Sequence, residues 1–177
     1  MENIKVKEYL EIKIDHYPYY KSLNKKIIED VKTLSFYPSQ NFQYTNIKGT
    51  QHNFKLGREP DNIKLILQWI TNLIPSFDFN PHTERVISLG SSWLAKYNRG
   101  DYVIKHTHQP STISFVYFVR SPRGSSPLVF TTSGKRINSE EGRVVLFPGN
   151  LIHHVPKNKC DDRITYAGNF TVNSPGH

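Results

Sequence analysis

Two kinds of patterning divide the chain. Within residues 1–20, "IKVKEYLEIKI" alternates apolar and charged positions, and a period of two separates the faces of a strand, so this segment reads as an edge strand. Residues 22–35, "SLNKKIIEDVKTLS", instead bring Leu23, Ile27, Val31 and Leu34 onto one stripe at helical spacing, with Ser22 placed to cap the start. "EPDNIKLILQWITNLIPSF" repeats that logic: Pro60 and Asp61 suit a helix start, Ile63, Leu67 and Ile70 a buried stripe, and Pro75 the stop. Between the two helices, "YPSQNFQYTNIKGTQHNFKLGRE" is polar and contains Gly, which predicts a long loop or a loose hairpin.

From about residue 84 the pattern changes. "ERVISLGSSWLAKYN", "DYVIKHTH", "STISFVYFVR", "SPLVFTT", "GRVVLFPG", "LIHHVP" and "RITYAGNFTV" are short β-type runs punctuated by Gly, Pro, Asn and Ser at the spacing of a sandwich or barrel. The pattern predicts a mainly β protein, two helices packed on a jelly roll. Residues 1–177 read as one domain, with 1–83 as helical and loop support and 84–173 as the jelly-roll core. No internal repeat, low-complexity tract or linker interrupts it.

Composition refines this picture modestly. The 177 residues suffice to bury a core, and ten Tyr, ten Phe and two Trp suit one rich in β-structure. No apolar run reaches the roughly 18 residues of a spanning helix, and the N-terminus lacks the apolar segment of a signal peptide. A single cysteine, Cys160, excludes an internal disulfide framework and a cysteine-based zinc ribbon, so a reducing, cytoplasmic setting is expected. Lys and Arg number 23 against 15 Asp and Glu, a formal charge of +8. The lysines are dispersed, so the charge reads first as solubility, with nucleic acid or an acidic protein as the alternative partner.

The histidines change the picture more. In "IKHTHQPSTISFVYF", His106 and His108 are two apart, and a strand projects such residues from one face. Two parallel imidazoles are half of a metal site, and "LFPGNLIHHVP" offers a third ligand about 45 residues on. Of His153 and His154, neighbours on a strand, one points inward. Arg163 follows in "RITY". Taken alone it could be a surface arginine, but an inward guanidinium in a sandwich core calls for an anion. Its planar fork matches a carboxylate, and Thr165 on the same face adds a hydroxyl. Metal ligands beside a carboxylate clamp describe a site for a chelating keto acid.

Here the sequence resembles the iron(II)/2-oxoglutarate-dependent oxygenases with a double-stranded β-helix (a cupin-like jelly roll), and more narrowly the small oxygenases met in phage and marine bacterial genomes. The matching stretches are "SSWLAKYNRGDYVIKHTHQP", "STISFVYFV", "GRVVLFPGNLIHHV" and "RITYAGNF", over roughly residues 88–172; "GTQHNF" is a weaker echo. The resemblance implies that His106, His108 and His153 hold iron(II), with His108 where most such oxygenases have Asp or Glu. It implies that Arg163 and Thr165 bind the distal carboxylate of 2-oxoglutarate. His154 then faces outward or supports the site from behind. Three neutral imidazoles subtract no charge from the iron, and the 2-oxoglutarate dianion can still balance it.

The function implied is oxidation of a substrate C–H bond by O2, with 2-oxoglutarate decarboxylated to succinate: a hydroxylase whose substrate is a peptide or protein side chain such as proline. Tyr102 and Tyr117 are candidate cavity or cofactor contacts, with core packing the plainer role for each, and Asn169 a candidate for the same pocket. The helical half and "GTQHNFKLGRE" are expected to roof the cavity. A cytoplasmic location is expected, that of the host if the gene is a phage's. Three histidines also suit zinc, so a cupin-like metalloprotein that does not use 2-oxoglutarate is the alternative. A nucleic-acid-directed oxygenase or binding module is the other.

Overall fold

The computed structural model describes residues 10–38, 46–77 and 85–173. Twelve strands and two helices follow in order: β1 (Lys13–His16), α1 (Tyr20–Thr33), β2 (Tyr37–Pro38), β3 (Ile47–Lys48), β4 (Thr50–Asn53), α2 (Asp61–Leu73), β5 (Val86–Tyr97), β6 (Tyr102–His106), β7 (Ile113–Arg120), β8 (Leu128–Phe130), β9 (Arg136–Ile137), β10 (Arg143–Pro148), β11 (His153–Val155) and β12 (Arg163–Asn173). They form a seven-stranded sheet, β1-β10-β7-β12-β5-β4-β2, and a five-stranded sheet, β3-β6-β11-β8-β9. All pairings are antiparallel. The sheets enclose one core, and the helices cover the outer face of the larger sheet in a second.

The larger sheet is therefore buried on both faces, which is why "ISFVYFV" in β7 is apolar without alternation. Phe115, Tyr117 and Val119 point to the helices, while Val116 and Phe118 point between the sheets. Along β12, Ile164, Tyr166 and Phe170 meet the helices, and Arg163, Thr165 and Ala167 face the cavity between the sheets.

The helices arise from the stripes the sequence shows. Leu23, Ile27 and Val31 of α1 and Ile63, Ile66 and Ile70 of α2 are buried together on the sheet. The start of α1 differs: Tyr19, not Ser22, occupies the capping position, and the Ser22 hydroxyl donates back to the Tyr19 carbonyl. Pro75 does not end the second helix abruptly either, since α2 passes into a 3-10 turn at Ile74–Ser76. A proline needs no amide hydrogen in the first turn of such a segment, which makes it tolerable there.

The N-terminal half supplies more strand than the sequence pattern predicts. β1 is the expected edge strand, on β10; residues 4–9 of the alternating run lie outside the described residues. "GTQHNF" does not roof the cavity: it becomes β4, paired along β5, and β2 pairs with β4 at the edge of the same sheet. Ile47 of β3 alone among these strands lines the cavity. No helix among the described residues is long and apolar enough to cross a membrane.

Candidate metal and keto-acid site

β6 ends at His106, and His108 lies just beyond it, on the turn into β7. The turn is held against the "PGN" turn after β10. The His108 amide donates to the Gly149 carbonyl (2.7 Å) and the Gly149 amide to the Thr112 carbonyl (3.0 Å). Gly149 makes this approach possible, because a Cβ there would lie 2.1 Å from the Ser111 carbonyl oxygen. β11 pairs with β6 so that His153 sits directly opposite His106.

Three imidazoles converge as a result. Ring centroids are 4.7 Å apart for His106–His108, 4.2 Å for His106–His153 and 5.0 Å for His108–His153. One nitrogen from each lies within 4.8 Å of the others. The Nδ1 atoms of His106 and His153 are each 2.8 Å from a backbone carbonyl, of Ile104 and Leu151 respectively. A carbonyl only accepts, so both rings carry hydrogen on Nδ1 and turn an Nε2 lone pair outward, as a ligand must. Burial, then the neighbouring imidazoles, lowers the pKa of His108 to about 3; burial and His106 lower that of His153 to about 4. Burial also lowers His106. Neutral rings are the form that binds a cation.

His154, on the opposite face of β11, lies 3.0 Å from the Thr131 hydroxyl through Nδ1. Partial burial, then the charges of Lys105 and Arg136, lowers its pKa.

A cavity of about 420 Å³, open mouth included, runs from His106 and His153 past Trp93 to Tyr97, Thr165 and Arg163. Arg163 is 1% exposed. Its guanidinium carbon stacks 4.5 Å from the centre of the Tyr97 ring and 5.7 Å from that of Phe118. Nε donates to the Ser139 hydroxyl at a long 3.4 Å, and Nη1 has no partner among the described residues. No ion pair among those residues includes it. Burial lowers the Arg163 pKa and raises that of Tyr97, whose phenol is within reach of both Arg163 and Thr165. A buried cation with a free donor is costly unless an anion completes it, and the cavity leads straight to it.

Three candidates from the sequence fall elsewhere. Tyr102 points out of the opposite face of its sheet, where Lys48 stands 5.6 Å over its ring. Tyr117 points to the helices, its hydroxyl donating to the Asn24 amide oxygen at 2.7 Å. Both lie on the wrong side of a two-residue alternation. Asn169 has the inward parity but lies beyond the cavity lining, accepting from Ser114 (2.8 Å) and donating to Ser91 (3.1 Å). Tyr97 is the residue that sequence reasoning missed. Its signal was present, since Trp93, Ala95 and Tyr97 alternate on β5 and Tyr97 pairs across to Arg163.

No protein-family model matches the chain, and no curated protein matches its sequence. Solved structures match its shape closely. Viral collagen prolyl hydroxylase from Paramecium Bursaria Chlorella virus-1, in its 2-oxoglutarate complex, aligns with a TM-score of 0.68 at 16% identity, covering 92% of this chain and 96% of that one. A Pseudomonas putida prolyl-4-hydroxylase aligns at 0.70 and 14% identity, covering 90% and 91%. A Trichoplax adhaerens prolyl hydroxylase, in complex with a hypoxia inducible factor peptide fragment, aligns at 0.69 and 14%, covering 90% and 83%. The chain has the double-stranded β-helix fold of these prolyl hydroxylases.

Proposed function

We propose that this protein is an iron(II)- and 2-oxoglutarate-dependent oxygenase that hydroxylates a peptide or protein side chain, proline being the first candidate. The observation that carries the proposal is a cavity that begins at His106 and His153, two of three converging imidazoles, and ends at a buried guanidinium whose Nη1 has no partner among the described residues. In this reading His106, His108 and His153 hold the metal through their outward nitrogens. Arg163, flanked by Tyr97 and Thr165, holds the far carboxylate of the keto acid. Trp93, Val116 and Leu128 wall the space between and exclude water. Bound there, iron and 2-oxoglutarate would supply the oxidising chemistry; the protein supplies position and a dry cavity. The peptide-bound and 2-oxoglutarate-bound neighbours support the substrate class and the co-substrate.

The all-imidazole ligand set also favours zinc, and a metalloprotein of that kind would have no use for Arg163. Anaerobic addition of iron(II) and 2-oxoglutarate separates the two. The expected result is a visible charge-transfer band that Arg163→Leu abolishes while iron binding persists. Absence of the band in the parent protein, with zinc retained, would favour the second reading. Turnover of 2-oxoglutarate to succinate across peptide, amino-acid and oligonucleotide pools then identifies the substrate class.

A further inference from the structure

The five-stranded sheet has one face on the cavity and one on solvent. Its strands contain no Asp or Glu, and the outward face carries Lys48 on β3, Lys105 on β6 and Arg136 on β9, with Lys157 just after β11 and Tyr102, Ile104 and His154 beside them. The four cations are exposed. Five cations elsewhere, Lys13, Lys32, Lys64, Arg120 and Arg143, each have an acidic partner. None of the described ion pairs involves a cation of this face. Between β6 and β11 the face forms a shallow groove whose floor includes Tyr102, Ile104 and Pro156 and whose rim carries Lys105 and Lys157. Like charges gathered on one face repel one another, and an external anion would relieve that repulsion.

We propose that this face is a docking surface for single-stranded nucleic acid. Phosphates meet Lys48, Lys105, Arg136 and Lys157, and bases lie against Tyr102 and Pro156. A cationic track beside an aromatic platform is the physical recipe for binding a single strand without reading its sequence. An acidic polypeptide would satisfy the charges but has no use for the ring. The face is the reverse of the sheet that carries His106 and His153, so binding here is independent of the proposed oxygenase site.

Fluorescence anisotropy with a labelled oligothymidylate, on the full chain at low and moderate salt, tests this. Binding should weaken linearly in log salt, as release of counterions requires. Lys105→Glu/Arg136→Glu/Lys157→Glu should weaken binding at least about tenfold and lower the salt slope by about two, at roughly 0.7 per lost phosphate contact. Tyr102→Ala should weaken it by about fivefold or more, a stacking contribution near 1 kcal/mol or above. Lys21→Glu/Lys25→Glu/Lys26→Glu, an equal charge change on exposed positions of α1, should leave affinity within twofold. Retained melting temperature and an unchanged charge-transfer band would show that fold and metal site survive. No binding by the parent protein, equal loss in both triple variants, or equal competition by oligoglutamate would overturn the proposal.

Discussion

His153 and His154 are adjacent and chemically identical, yet β11 sends them to opposite sides of one sheet. His153 faces two other imidazoles and a cavity; His154 faces Thr131 and two cations. His153→Ala should therefore abolish iron binding, measured by anaerobic calorimetry, together with 2-oxoglutarate turnover. His154→Ala should retain both within about threefold. The same residues set a pH dependence. The folded protein keeps His108 and His153 neutral, with pKa values near 3 and 4, while the unfolded chain takes up protons from about 6.5 downward. More protons bind the unfolded state on the acid side, so this stability is complete above about pH 6.5 and declines as pH falls toward 3. Thermal melts of the metal-free protein should be flat from pH 7 to 8 and drop below 6.5, with a shallower drop in His108→Gln.

At the scale of elements, the site is a meeting of strand ends and turns. β6 and β11 place His106 against His153, but His108 depends on two turns held together at Gly149. Gly149→Ala forces a Cβ into the Ser111 carbonyl, so one turn must move. The expected outcome is weaker iron binding, by about tenfold or more, with a loss of stability of roughly 1–3 kcal/mol, in the range for overpacking a tight site. Metal titration combined with urea denaturation checks both. Neither the glycine's necessity nor the His108 position beyond the strand follows from the local sequence, because the opposing turn lies some 40 residues away.

Across the whole molecule, the helices and the N-terminal strands are structural rather than appended. α1 and α2 cover Phe115, Tyr117, Tyr166 and Phe170, and Tyr117 is tied to α1 through Asn24, whose amide also donates to the Val119 carbonyl at 2.7 Å. A chain beginning at residue 84 would expose those aromatics and lose β1, β2, β3 and β4. It should fail to fold, giving an NMR spectrum without native dispersion and precipitating at micromolar concentration, even though it contains every metal and carboxylate ligand of the proposed site.

By itself the sequence determined what local periodicity can carry: two amphipathic helices, a series of short strands from residue 84, and three histidines and an arginine at jelly-roll spacing. Residue type marked these as candidates, and the resemblance to the oxygenases joined them into one proposed site. Tertiary structure decided which faces meet. Tyr102 and Tyr117 carry the same chemistry as Tyr97, yet only Tyr97 stands under Arg163, since each strand's two faces look into different layers and one residue of phase selects between them. "GTQHNF" became a strand rather than a roof because the open edge of β5 offered its backbone hydrogen-bonding partners that a polar loop would otherwise have left to water. Periodicity fixes a face relative to its own strand; only the packed sheets say what that face sees.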